Sequence, residues 1–142
     1  MKKIVLIFSI LTLLSCSSKK KTTIGPNALY EILTTQADGG ANIRFNEILT
    51  EEREIKMLLN DENLRKKINP EDIHNSNFVI LNMGETVSAG DSVKIQSVRE
   101  TADKIIIKVE ALPAQNENMG DADFHYPYTI IKINSKKPIV IE

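Results

Sequence analysis

Apolar and polar residues alternate along several short segments of this chain, which is the pattern of half-buried β-strands. In residues 105–111, Ile105, Ile107 and Val109 fall on one side, while lysine and glutamate fall on the other. Residues 78–81 form instead an uninterrupted apolar run, as expected for a strand covered on both faces. Further strands are predicted at residues 30–33, 42–49, 93–98, 128–133 and 139–141.

One segment has the helical period instead. Ile55 and Leu58 are spaced three residues apart, and a second leucine follows, which gives one apolar face. Thr50 is a suitable N-cap, and the glutamates after it favour the positive end of the helix dipole. The pattern predicts a helix over about residues 50–60, followed by a further turn that includes Leu64.

The order of these elements predicts the fold class. Residues 38–40, Asp-Gly-Gly, suit a turn that would pair the first two strands as a hairpin. Strands that follow one another through short connections favour antiparallel pairing. We therefore expect an α+β or mainly β domain over residues 28–142. It would be an antiparallel sheet or small sandwich of about six or seven strands, with one helix packed on it.

The chain begins with a short apolar segment that is followed by a cysteine. Two lysines precede the apolar run, which is too short to span a bilayer but suits a secretory signal. Leu-Leu-Ser then precedes Cys16, in the form of the lipobox of bacterial lipoproteins. We expect residues 1–15 to be the signal peptide, Cys16 to carry acyl chains, and residues 16–27 to be a flexible tether. An uncleaved anchor or a plain secretory signal is the alternative.

The composition of the chain without residues 1–16 limits the classes of partner that it can bind. Residues 1–16 hold two of the 18 basic residues and none of the 19 acidic ones, so the remaining charge is 16 − 19 = −3. This balance argues against nucleic acid as a partner. Cys16 is the only cysteine in the sequence, so no disulfide can form within the chain. The expected location is the bacterial cell envelope, anchored to the membrane by lipid and facing the periplasm.

No arrangement of residues points clearly to catalysis. The sequence has no nucleophile elbow and no glycine-rich phosphate loop, so we expect a protein that is not an enzyme and uses no cofactor. Asp121, Asp123 and His125 alternate, and an extended backbone would place them on one side as candidate metal ligands. A solvent-exposed polar loop is the alternative interpretation of these residues.

The loop between the strands at 78–81 and 93–98 is the candidate partner-binding segment. It consists of small and polar residues, which leave backbone groups accessible for contact with a protein. Its candidate residues are Thr86, Val87, Ser88, Ala89, Gly90 and Asp91. An ordinary strand connection is the alternative.

Four segments follow one another in a distinctive order along the chain. Residues 77–84 are Asn-Phe followed by an apolar run and glycine, residues 88–91 are Ser-Ala-Gly-Asp, and residues 126–133 and 138–141 are apolar segments that each contain proline. This order resembles the PrcB-type protease-complex subunit family. The first segment is similar to that family's apolar entry strand, the second occupies the position of its Thr-Gly-Gly-Tyr segment, and the last two resemble its last strands. Ala89 and Asp91 depart from the Thr-Gly-Gly-Tyr segment, which implies an altered contact there.

The resemblance implies a secreted, non-catalytic accessory subunit that binds or stabilises a protease. We therefore expect a lipid-anchored envelope protein with a protein partner, bound by loop docking or by strand addition at a sheet edge. A protease inhibitor is a related alternative. A lipoprotein that binds a small ligand or metal is an alternative of a different class.

Substitution of Gly90 tests the loop prediction. A valine at this position restricts the backbone and adds a branched side chain, so Gly90→Val should weaken partner binding more than it lowers thermal stability. Thermal unfolding and partner capture, measured on the same preparations, check this. An equal loss of both properties would contradict a binding role for the loop.

Overall fold

The computed structural model describes residues 28–87, 90–112 and 123–142, and these contain seven strands and three short helices. The elements are β1 (Tyr30–Gln36), β2 (Phe45–Leu49), α1 (Glu52–Leu58), α2 (Glu62–Arg65), α3 (Asp72–Asn75), β3 (Asn77–Asn82), β4 (Ser92–Glu100), β5 (Ile105–Leu112), β6 (Tyr128–Ile133) and β7 (Ile139–Ile141). The mainly β class and the expected number of strands are confirmed.

The strands form two sheets. One sheet has the order β1-β6-β3-β2 with antiparallel neighbours throughout. The other has the order β4-β5-β7, in which β4 pairs antiparallel and β7 pairs parallel with β5. The parallel pair departs from the antiparallel expectation. The turn at residues 134–138 joins β6 of the first sheet to β7 of the second, so β7 does not return beside β6 as a hairpin partner would.

The predicted hairpin between the first two strands is wrong. β1 pairs with β6 and β2 pairs with β3, so β6 and β3 lie between them. Both inner strands are apolar on two faces, whereas β1 and β2 each expose most of their residues. Strands with a polar face belong at an edge, where that face meets water. Residues 37–44 therefore cross the ends of β6 and β3 instead of closing a tight turn.

The four-stranded sheet has a hydrophobic layer on each face. On one face, Phe78 and Ile130 pack with apolar residues of the helical segment, including Ile55. On the other face, Val79 and Ile131 pack against the three-stranded sheet. The molecule thus has three layers, with helices, four strands and three strands in that order. The continuous apolar run of β3 follows from its position in the middle layer.

The helical segment is more divided than the sequence pattern predicts. The N-cap of α1 is Glu51 and not Thr50, and the Glu54 carboxylate accepts hydrogen bonds from both backbone N–H groups. Asp61 then caps α2 by accepting from the N–H groups of Asn63 and Leu64, which separates the further turn from α1. The predicted single helix is corrected to three.

The third helix, α3, is tied to the sheet by a buried lysine. Lys132 is only 7% exposed and lies on the face of β6 that meets the helices. Its ammonium nitrogen is 3.2 Å from Asp72 Oδ2 and 3.2 Å from Glu31 Oε2. Two carboxylates compensate for the removal of the charge from water. This lysine interrupts the isoleucines of β6 without interrupting the strand.

Glu52 connects α1 to α3. Its carboxylate lies 3.3 Å from Lys56 Nζ and 2.8 Å from His74 Nδ1. The hydrogen bond from Lys56, followed by the charge of His74, lowers the pKa of Glu52 below its ordinary value of 4.5. A carboxylate with a lowered pKa stabilises the folded state most when it is ionised.

Glu52→Gln tests this contribution through the pH dependence of stability. Because the folded pKa lies below the unfolded value of 4.5, the stabilisation is fully present above that value. It is lost as the pH falls through the folded pKa. We expect the free-energy difference between the parent and variant, measured by urea unfolding, to shrink on acidification below pH 4.5. Glu62→Gln is the control, and an equal pH dependence there would contradict the assignment.

Candidate functional site

Three chain segments meet where β3 ends and β6 begins, and together they form the loop end of the molecule. We define the loop end as residues 37–44, 83–91 and 123–127, of which Ser88 and Ala89 lie outside the described residues. Gly40 N–H donates to the carbonyl of Tyr126 at 2.8 Å, and Glu85 N–H donates to that of Asn42 at 3.1 Å. Backbone hydrogen bonds thus join residues 37–44 to both of the other segments.

Asn82 holds the crossing segment in place. Its side chain is 2% exposed, and its Oδ1 accepts from Ala41 N–H at 3.0 Å. Its Nδ2 donates to the carbonyls of Ala41 at 2.9 Å and of Ile43 at 2.7 Å. A Cβ at Gly40 would lie 2.3 Å from Asn82 Oδ1, so the close packing of this loop requires glycine there.

Gly84 changes the register of the pairing beyond β3. Asn82 pairs with Tyr128, whereas Thr86 pairs with His125. Three residues therefore oppose two, which is a β-bulge. Gly84 has φ +85°, and a Cβ there would lie 2.8 Å from Arg44 N. Both facts favour glycine at this position.

The bridge between Thr86 and His125 brings two candidate sites together. Thr86 N–H donates to His125 O at 2.9 Å, and His125 N–H donates to Thr86 O at 2.8 Å. The Thr86 hydroxyl also donates to the carboxylate of Asp91, which lies at the other end of the candidate loop. The candidate partner loop is therefore fastened to the segment that carries the candidate metal ligands.

A tyrosine and a glutamate form the neighbouring cross-strand pair. The Tyr126 hydroxyl donates to Glu85 Oε2 at 3.1 Å, and this hydrogen bond raises the pKa of Tyr126 above its ordinary value. Tyr126 N–H donates to Asp38 Oδ1 at 3.2 Å, so its backbone is held as well. Partial burial, helped by the charge of Asp61, raises the pKa of Tyr128. The raised pKa favours the neutral form of each phenol.

The structure describes only some of the remaining candidate residues for lipidation, metal binding and partner binding. Cys16 and Asp121 lie outside the described residues. Asp123 is exposed and His125 is partly buried, and within the described part of the chain no three His, Cys, Asp or Glu side chains are placed to hold a metal ion. Val87 is 63% exposed. Across residues 28–87, 90–112 and 123–142, no helix has the length and hydropathy that crossing a membrane requires.

Sequence reasoning assigned no role to Asn82, Glu85 or Tyr126, which build much of the loop end. One available signal was the position of Asn82, a polar amide at the end of a doubly buried strand. A side chain there can bond only to chain segments that cross the strand end. The partners of Tyr126 gave no such signal, because they lie 41 and 88 residues away.

The geometry describes a two-sheet module with helices on one face and closely fastened loops at one end. The family profile for the PrcB C-terminal domain matches residues 77–134, which run from β3 to just past β6. Over this stretch the chain is similar to the PrcB C-terminal domain family, as the motifs predicted. Neither the curated proteins nor the solved structures contain a significant match to the chain.

Asn82→Ala tests how the crossing segment is held. The substitution removes three hydrogen bonds, and partial rehydration of the freed backbone groups limits the expected loss of stability to about 2 kcal/mol. Urea unfolding measures this loss, and hydrogen exchange at residues 41–43 should accelerate. Asn46→Ala, at an exposed asparagine on β2, is the control. Equal effects of the two substitutions would contradict the role of Asn82.

Proposed function

We propose that this chain is a non-catalytic, lipid-anchored protein of the bacterial cell envelope that binds a partner protein through its loop end. The partner we propose is a secreted protease, for which the chain acts as an accessory subunit. The protease part of the proposal follows from the family resemblance. The binding site follows from the arrangement of the loops.

The observation that carries the binding proposal is the Thr86–His125 bridge. Beside it, Val87 is 63% exposed and Phe124 is 55% exposed, and each directly adjoins one residue of the bridge. Exposed apolar side chains on loops fastened to a rigid sheet lose little conformational freedom when a partner covers them. This arrangement suits a preformed binding surface.

The position of the chain's first described residues supports a binding surface that lies away from the membrane anchor. The carbonyls of Ala28 and Leu29 accept hydrogen bonds from Asn134, beyond the end of β6 opposite the loop end. β1 then runs from Tyr30 toward the loop end. Acyl chains on Cys16, joined through a tether that spans at most about 40 Å when extended, would thus attach at the opposite end and allow the loop end to face away from the membrane.

Capture of the partner tests the proposal. The full, tagged chain is expressed in its own envelope, crosslinked in cells, solubilised in detergent and analysed by quantitative mass spectrometry. We expect one stoichiometric partner with a protease domain. Val87→Asp should reduce its recovery about tenfold or more, since a charge would then be buried in the interface.

Two further variants make the test specific. Met57 is 67% exposed on α1, so Met57→Asp makes the same kind of change on a different surface and should leave recovery unchanged. Cys16→Ser should abolish the incorporation of labelled fatty acid into the protein. Equal losses with the Val87 and Met57 variants would overturn the binding site, and fatty-acid labelling of the Cys16 variant would overturn the anchor at this residue.

A further inference from the structure

The paired segments at the loop end form a short two-stranded ribbon with two distinct faces. Side chains alternate along extended strands, so Glu85 and Val87 share a face, as do Phe124 and Tyr126. The 3.1 Å hydrogen bond between Tyr126 and Glu85 shows that these two pairs are on the same side of the ribbon. We call this side the Val87–Phe124 face.

The Val87–Phe124 face presents a small apolar surface. Val87 follows Thr86 and Phe124 precedes His125, so antiparallel register places them opposite each other. Both are more than half exposed, at 63% and 55%. The phenol of Tyr126 adjoins them on the same face and is fixed by Glu85. Aromatic side chains of this kind act as anchors in protein interfaces.

The charge around this face identifies the chemistry of its partner. The described residues of the loop end carry four carboxylates, those of Asp38, Glu85, Asp91 and Asp123, and one permanent cation, that of Arg44. With histidine neutral, their net charge is 1 − 4 = −3. The chain after residue 16 has the same net charge of −3, so the other charges of that part of the chain sum to zero.

We propose that the Val87–Phe124 face binds a cationic, apolar segment of the partner protein, in which lysine or arginine flanks a hydrophobic anchor. The inference rests on the proposed function and specifies the partner of that site. The anchor covers Val87 and Phe124, and the flanking cations approach the carboxylate of Glu85 on the same face. Complementary charge at the rim of an apolar contact raises the association rate and excludes acidic segments.

Three synthetic peptides test this chemistry directly. They have one length and one apolar centre, and they are flanked by lysine, serine or glutamate. Binding to the full chain in detergent is measured by fluorescence anisotropy at low and high salt. The lysine peptide should bind about tenfold more tightly than the serine peptide, the glutamate peptide should bind most weakly, and salt should reduce the differences.

Neutralising the carboxylate on this face provides the matched comparison. The variant E85Q should lose the preference for the lysine peptide. The control E62Q removes the same charge from an exposed position on α2 and should retain the preference. Equal binding of the three peptides, preference for the glutamate peptide, or an equal loss in the control would each overturn the inference.

A photo-crosslinking residue locates the contact and separates the two proposals. Placed at position 87, it should label the lysine peptide, whereas placed at position 57 it should not. If Val87→Asp removes the envelope partner but the peptides show no charge preference, the binding site stands and its partner chemistry is wrong. If neither the envelope partner nor the lysine peptide distinguishes position 87 from position 57, the site itself is wrong.

Discussion

Burial of β3 and β6 on both faces is the constraint on which this structure depends. Phe78 and Ile130 point toward the helices, while Val79 and Ile131 point toward the second sheet. A strand with a polar face cannot occupy either central position without losing hydration of that face. β1 and β2 are therefore placed at the two edges, although they follow each other in the chain.

The loop end is a consequence of that strand order. Because β1 and β2 lie on opposite edges, residues 37–44 must cross the ends of β6 and β3. The crossing brings backbone groups next to the strand ends, and the amide of Asn82 satisfies several of them. Glycine at positions 40 and 84 allows the close approach. The surface that we propose for binding is thus built by the connection that the doubly buried pair requires.

The central strands β3 and β6 also affect where charged residues are placed. Lys132 is the one charged residue on β3 or β6, and it is paired with Asp72 and Glu31 on the helical side. Removing either partner from a buried ion pair is more costly than the pair's net contribution to stability. The two ion pairs link β6 to α3 and to β1, while Asp38, Glu85 and Asp123 at the loop end are exposed.

The family profile matches the part of the molecule that contains the two central strands and the proposed binding surface. Residues 77–134 include both central strands, the two strands of the second sheet that pair antiparallel, and both sides of the Thr86–His125 bridge. The helices, β1, β2 and β7 lie outside the matched range. The matched stretch thus contains the proposed contact ribbon, and the remaining elements cover and position it. The departures at Ala89 and Asp91 fall within this stretch, on the candidate loop.

The sequence by itself determined where the strands lie and which class of fold they build, because side-chain alternation and the apolar run of β3 are local properties. It also indicated the family and the lipobox cysteine. Only the tertiary structure decided that β1 pairs with β6 and that Thr86 meets His125. Strand partners depend on which residues are buried together, and residues that are distant in the chain leave no local periodic signal of their contact.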